Sequence, residues 1–131
     1  MKDLICDEFQ NTVSKYLIRH QSILDILSKI QESTARVNRA TVKAVTNCGC
    51  LQIHTEKKSL PPNASFHDFI KIMDTNLKGK ICTECRDVIE TEMGKTLFYL
   101  TALCNALDIN LYDVLIKEHN KLSTLGFFNL T

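Results

Sequence analysis

Apolar residues recur at three- and four-residue steps along most of the chain, and the rhythm fails clearly in one place only. Phe9, Val13, Tyr16, Leu17, Ile23, Leu24, Leu27 and Ile30 form the first stripe, with Lys15, Arg19, Asp25 and Lys29 facing away, which predicts a helix over residues 7–30. His20 falls on that stripe and reads as a core or rim histidine with a hydrogen-bond partner. A second helix is predicted over 33–46, opening at Ser33 or Thr34 as N-cap and turning Val37, Ala40, Thr41, Ala44 and Val45 inward. Arg36, Arg39 and Lys43 form a basic ridge beside that face, ordinarily a solvated surface but also the wall a phosphate group needs.

The rhythm stops at "NCGCLQIHTEKKSLPPNAS", where a glycine, two prolines and the alternating "LQIHT" predict a loop with at most a small strand or hairpin. "SFHDFIKIMDTNLKG" then predicts a short helix, with Ser65 and Asp68 as its capping box and Gly79 as its stop. From Cys82 a long helix carries Ile89, Met93, Leu97, Leu100, Leu103 and Leu107, widened by Phe98, Tyr99 and Cys104. Asn110 and Asp113 cap a last helix whose Leu111, Val114, Leu115 and Leu122 are expected to turn inward. The apolar tail "GFFNLT" is expected to dock on the domain or on a second subunit.

The expected fold class is therefore all-α: a four-helix bundle, a single domain over 1–131, with a small cysteine-containing insert at about 47–81 between the second and third main helices. At 131 residues the chain can bury roughly two-thirds of its surface. A net charge of +1 gives no field that selects nucleic acid or an anionic membrane. The N-terminus lacks the pattern of a signal peptide, and "TLFYLTALCNAL" is shorter than the roughly 20 residues a bilayer requires, so a cytoplasmic location is expected.

That expectation changes how the six cysteines are read. In a reducing compartment close pairs hold metal or do redox chemistry more often than they form structural disulfides. Cys48-Gly-Cys50 and Cys82-x-x-Cys85 each sit at a break in the helical pattern, and four thiolates make a closed tetrahedral zinc site. An iron–sulfur cluster, a redox pair or plain buried thiols are the other readings, with His54 and His67 as possible stand-ins for one cysteine. A structural zinc ion would pin the insert to the start of the long helix. Cys6 and Cys104 read as small core residues.

Glu84, Asp87, Glu90 and Glu92 crowd the same helix. Acids in the first turns of a helix are favoured by its dipole, so the spacing alone describes a surface. The stretch "ETEMGKTLFYLTALCNALDINLYDVLIKEHNKL" nevertheless resembles the C-terminal half of the MazG-like, all-α nucleoside triphosphate pyrophosphohydrolases. Glu92-Met93-Gly94, Leu97-Phe98-Tyr99-Leu100, Ala102, Asn105-Ala106-Leu107 and Ile109-Asn110-Leu111 match that family's pattern in order, over about 35 residues.

The resemblance implies an all-α bundle, a homodimer or higher homo-oligomer, a nucleotide ligand, and magnesium held by acidic sets on two helices for cleavage to a monophosphate and pyrophosphate. Carried across, Glu92 takes the first position of the E-x-x-D set and Lys95 stands where its aspartate belongs. On the preceding helix Glu32 keeps one acid, while Gln31 and Ala35 replace two others. Hard Mg²⁺ requires several anionic oxygens, and an ammonium at a ligand position repels it. A Lys95–Glu92 pair at i, i+3 instead satisfies itself, at about 0.2–0.5 kcal/mol.

Three functions remain open on the sequence. The first is a catalytically impaired MazG-like protein with a structural zinc site, binding a nucleotide or a partner through Arg36, Arg39, Lys43 and Lys95. The second is an active pyrophosphohydrolase whose metal ligands are rearranged among Glu84, Asp87, Glu90, Glu92 and Glu32 or Glu8, although Glu90 and Glu92 diverge by about 200° around the helix. The third, a zinc-containing nucleic-acid module, has the least support.

Overall fold

The computed structural model of the protein describes residues 2–126, so all but the first residue of the expected docking tail lies outside the described residues. The described chain is mostly helical: α1 (Lys2–Tyr16), α2 (Ile23–Lys43), a one-turn π-helix (Ala44–Cys48), β1 (Leu51–Ile53), α3 (Phe66–Ile72), β2 (Leu77–Gly79), α4 (Thr83–Ala106) and α5 (Leu111–Leu125). No described helix is long and apolar enough to cross a membrane. The chain forms two compact units, one of residues 1–36 and 91–131, the other of 37–90. The expected insert lies wholly within the second.

In the first unit the apolar stripe spanning 7–30 is divided between two helices. Its break lies at residues 17–22, where His20 takes a left-handed φ of 58° that no helix interior accommodates. Gln21 donates its side-chain amide to Leu17 O at 2.9 Å, satisfying a carbonyl left open at the end of α1. His20 Nδ1 lies 3.4 Å from Asp25 Oδ2 in the first turn of α2. Thus His20 is a half-buried rim residue with a hydrogen-bond partner, one of the two places the sequence offered it, and it lies at the break between two helices.

Helix α2 runs through the position where a second helix was expected to begin. Ser33 is not an N-cap: it is buried inside α2 and donates its hydroxyl back to Ile30 O at 2.9 Å, as mid-helical serines do. The unit's core is Val13, Ile26 and Ala102, each about fully enclosed, with Phe9, Leu17, Ile30, Phe98 and Leu103 packed against them.

Polar contacts lock α1 to the loop before α5. Gln10 donates to Ile109 O at 2.7 Å and accepts from Leu111 N at 2.9 Å, while its own carbonyl accepts from Asn105 Nδ2 at 3.1 Å. The expected Asn110 cap is present, its side chain accepting from Asp113 N at 3.0 Å. Beyond this, Val114, Leu115 and Leu122 are not turned inward: they are 46–53% exposed. Leu97, Leu100 and Leu107 are likewise 41–55% exposed, so the described residues leave apolar faces of α4 and α5 uncovered.

The second unit buries far less. Ala44 and Leu51 are its enclosed apolar residues. β1 and β2 pair antiparallel with Leu51 opposite Gly79 and Ile53 opposite Leu77. The capping box of α3 is as expected, with Ser65 Oγ accepting from Asp68 N and Asp68 accepting from Ser65 N. Gly79, however, does not stop α3, which ends at Ile72. It sits in β2 at φ 87°, where a Cβ would come within 2.5 Å of Cys50 O. Only glycine fits, both for its left-handed conformation and for the backbone it touches.

Gly79→Ala is therefore expected to disrupt the β1–β2 pair and lower unfolding stability by about 2 kcal/mol or more, combining the left-handed penalty with a backbone displacement. Urea denaturation of the two proteins checks this; equal midpoints would show that the close approach relaxes without cost.

Candidate metal centre and cationic pocket

Local structure at both ends of the insert delivers the four sulfurs. The π-helix ends on Gly49, whose left-handed φ of 78° lets its N–H return to Ala44 O at 3.0 Å. This reversal places Cys48 and Cys50 on one turn, and the Cys50 thiol reaches Ala44 O at 3.8 Å. On the other side Cys82 immediately precedes α4. Its carbonyl accepts from Arg86 N at 2.9 Å and its sulfur from Cys85 N at 3.3 Å, so Cys82 serves as the helix cap. The β1–β2 pairing joins the two halves.

All four sulfurs lie within 4.8 Å of one another, and Cys48 and Cys82 are 3.8 Å apart, Sγ to Sγ. Tetrahedral zinc with Zn–S bonds near 2.3 Å requires S···S edges of about 3.8 Å. The cysteines are unoxidised, with Cys48 exposed and the other three half-buried. Among the described residues this is the one group of three or more His, Cys, Asp or Glu side chains close enough to share an ion. The sequence expectation thus holds for Cys48, Cys50, Cys82 and Cys85, which can hold a metal such as zinc.

The histidine stand-ins are not part of that group. His54 pairs instead with Glu56 at 3.2 Å, and His67 lies on α3.

Proton affinities within the cluster are split. The Cys85 backbone N–H, followed by the Cys85 thiol, pulls Cys82 down to about 7. Cys85 is pushed well above the ordinary thiol range, first by its hydrogen bond to Cys82 and then by desolvation. One sulfur is readily ionised and another resists. A closed four-thiolate site therefore forms only when a bound cation compensates the gathered negative charge.

The first unit holds a separate pocket of about 240 Å³ lined by Lys29, Glu32, Ser33 and Arg36 of α2 and by Lys95 and Tyr99 of α4. Glu32 accepts from Lys29 Nζ at 3.0 Å through Oε2 and from Arg36 through Oε1, at 3.3 Å to Nε and 3.2 Å to the terminal nitrogen. The Lys29 hydrogen bond, then that of Arg36, hold the Glu32 carboxyl below its usual range. Lys95 Nζ lies 3.6 Å from Glu92 Oε1, the helix ion pair expected from the i, i+3 spacing. Glu92 Oε2 is buried without a hydrogen-bond partner.

Of the expected phosphate-facing cations, Arg36 and Lys95 line this pocket, whereas Arg39 and Lys43 belong to the second unit. The sequence reading missed Lys29, which had been assigned to the outward side. Its i, i+3, i+7 relation to Glu32 and Arg36 is the signal that would have found it. Glu84, Asp87 and Glu90 are exposed residues of the second unit.

No family model, no curated protein and no solved structure matches the chain.

Protein purified without chelators is expected to carry close to one zinc ion per chain by elemental analysis. Cys82→Ser should lower that content and the amide-exchange protection of residues 47–81 together; an unchanged zinc content would exclude these ligands. Metal binding must displace the proton that Cys85 holds tightly, so acidification favours the thiol and releases the ion. Zinc retention falling as pH drops is the expected sign.

Proposed function

We propose that this is a divergent MazG-like protein, catalytically impaired, that uses a helical bundle to bind a nucleotide or a partner and a structural zinc ion to hold its insert. One observation carries this reading: the two surviving acids, Glu92 and Glu32, are engaged by cations of the same chain, Lys95 for one and Lys29 with Arg36 for the other. Family members bind magnesium through clusters of free carboxylates, and here ammonium and guanidinium groups take up both oxygens of Glu32 and one oxygen of Glu92. Support for the bundle comes from the mostly helical chain and the placement of its short insert. The four-sulfur geometry supports the zinc ion.

A second reading has one specific observation in its favour. The unpartnered, buried Oε2 of Glu92 is a carboxylate oxygen still available to a cation, which is what an active metal-dependent pyrophosphohydrolase with rearranged ligands would need. Among the described residues no further acids are gathered with it.

Purified protein offered a panel of nucleoside triphosphates with Mg²⁺ or Mn²⁺ is expected to release no pyrophosphate above background. Turnover abolished by Glu92→Gln would overturn the proposal in favour of the second reading. We also propose a homodimer as the form that covers the exposed leucines of α4 and α5, since soluble monomers seldom leave large apolar patches in water. Light scattering coupled to size exclusion should give at least twice the chain mass of 14.9 kDa; a monomer at micromolar concentration would refute it.

A further inference from the structure

We infer that Cys48 and Cys82 form a site of oxidative modification: a hydroperoxide joins them as a disulfide, the metal ion leaves, and the base of the insert exchanges one cross-link for another. This rests on the zinc reading above and adds the chemistry by which the ion is given up.

Accessibility singles out the sulfur that reacts first. Cys48 is exposed, whereas Cys50, Cys82 and Cys85 are half-buried. An oxidant arriving from solvent therefore meets the Cys48 sulfur before the other three. Zinc has no redox chemistry of its own, but it holds its ligands as thiolates, which are the nucleophilic form. The partner sulfur is already at hand: Cys82 Sγ lies 3.8 Å from Cys48 Sγ, across 34 residues of chain. That gap is nearly twice a disulfide's length of about 2.05 Å, and a side-chain rotation at the exposed residue closes it. Cys82 is steadied from the other side, its sulfur accepting from Cys85 N at 3.3 Å at the start of α4.

One hydrogen peroxide balances the reaction. The Cys48 thiolate attacks a peroxide oxygen, the O–O bond breaks, and a sulfenic acid forms on Cys48 as hydroxide leaves. Cys82 then attacks the Cys48 sulfur; the S–S bond forms, the S–O bond breaks, and a second hydroxide leaves. Each hydroxide takes up a proton to become water. The two sulfurs lose two electrons and the peroxide gains them. Two ligands are thereby withdrawn. Cys50 and Cys85 are too few for a closed site, so each takes up a proton as the ion passes into solution. The freed Cys50 thiol has Ala44 O within reach at 3.8 Å.

The place of the new bond decides what becomes of the insert. Metal and disulfide both tie the chain ahead of β1 to the chain after β2. Because the tether lies just outside the strand pair, Leu51 stays opposite Gly79 and Ile53 opposite Leu77 in either state. A Cys82–Cys85 disulfide, the local alternative, would join two residues of one turn and leave the start of the insert untied. With Ala44 and Leu51 as the enclosed apolar residues of this unit, the hairpin has little else to hold it. Oxidation at Cys48 and Cys82 thus removes the metal while keeping the hairpin, which removal of the metal alone does not.

Titration of the zinc-loaded full chain with hydrogen peroxide tests this. A chromogenic chelator should detect one zinc ion released for every two thiols lost, the thiol count falling by two from six. Peptide mass mapping should find Cys48 joined to Cys82, and dithiothreitol with added zinc should restore the starting protein. Amide exchange at 51–53 and 77–79 should stay slow in the oxidised, metal-free chain and become about tenfold faster in the chelated, reduced one. Cys48→Ser should slow peroxide-driven release by about tenfold, and Cys104→Ser, outside the cluster, should leave it unchanged. Mapping uses the unaltered chain, so it decides even if Cys48→Ser loads zinc poorly. A Cys82–Cys85 cross-link, zinc released without thiol loss, or zinc retained in excess peroxide would overturn the inference. Zinc content is measured first: a chain isolated without zinc refutes the metal reading instead, and the cross-link mapping then stands or falls by itself.

Discussion

The four sulfurs of Cys48, Cys50, Cys82 and Cys85 gather within 4.8 Å of one another where the Gly49 reversal meets the start of α4, the densest constraint in the second unit. Ala44 and Leu51 are its enclosed apolar residues, and burying two side chains of that size contributes only a few kcal/mol. Ordering each residue of the intervening loop costs about 1–2 kcal/mol in backbone entropy alone. Hydrophobic burial therefore cannot be the term that orders this segment. What remains is cross-linking: the β1–β2 pair, the backbone contact at Gly79, and the sulfur cluster at its base. A zinc ion on thiolates adds binding free energy of about 10–16 kcal/mol in small zinc-stabilised units. A metal ion held by these four sulfurs would on that scale outweigh the hydrophobic burial of the segment.

The first unit follows another logic. Its core is small, centred on Val13, Ile26 and Ala102, and its polar order is concentrated at Gln10, which makes three hydrogen bonds across the α4–α5 junction, to Asn105 of α4, Ile109 of the loop and Leu111 of α5. Satisfying those backbone groups fixes where α4 ends and α5 begins. Helix α4 in turn carries Lys95 and Tyr99 to the same cavity as Lys29 and Arg36. The charge pattern around Glu32 is then internally consistent: a carboxylate between two cations stays ionised, and the cations keep donors to spare. Lys95 thereby adds a cation to the wall of that cavity, beside Lys29 and Arg36.

Local rules were read correctly from the sequence wherever one short stretch decided the outcome. The Ser65–Asp68 capping box, the Asn110–Asp113 cap and the Lys95–Glu92 pair each depend on residues three apart, and the structure contains all of them. The cysteine set was legible because thiols in paired, short spacings have few other uses. Errors arose where two signals competed. The apolar period continues in phase across 17–22, so it concealed a break that Ser22 and Asp25, spaced as a helix start, would have marked. Ser33 looked like a cap because serine often is one; a buried serine that bonds back to Ile30 is indistinguishable from it in sequence. Gly79 reads as a helix stop in sequence because the partner that demands a glycine there, Cys50 O, is distant in the chain. Lys29 was turned outward because periodicity assigns a face, not the pocket that another helix completes on it.

The exposed leucines of α4 and α5 mark the limit of what periodicity can establish. A stripe at helical spacing means that a face is destined to leave water, and it does not say which surface will cover it. Val114, Leu115 and Leu122 fit the period as well as Val13 and Ile26 do, yet they are about half exposed while those two are enclosed. The difference lies in geometry: α1 touches α5, and the core gathers around Val13, leaving the remaining stripe with no covering element among the described residues. Apolar area of that extent costs roughly 25 cal/mol per Å² to keep hydrated. A second copy presents the same kind of surface at the same concentration, and a self-complementary face is the arrangement closed dimers use. The sequence pattern and the exposure are thus two aspects of one constraint: an apolar face at helical spacing that the described residues leave without a cover.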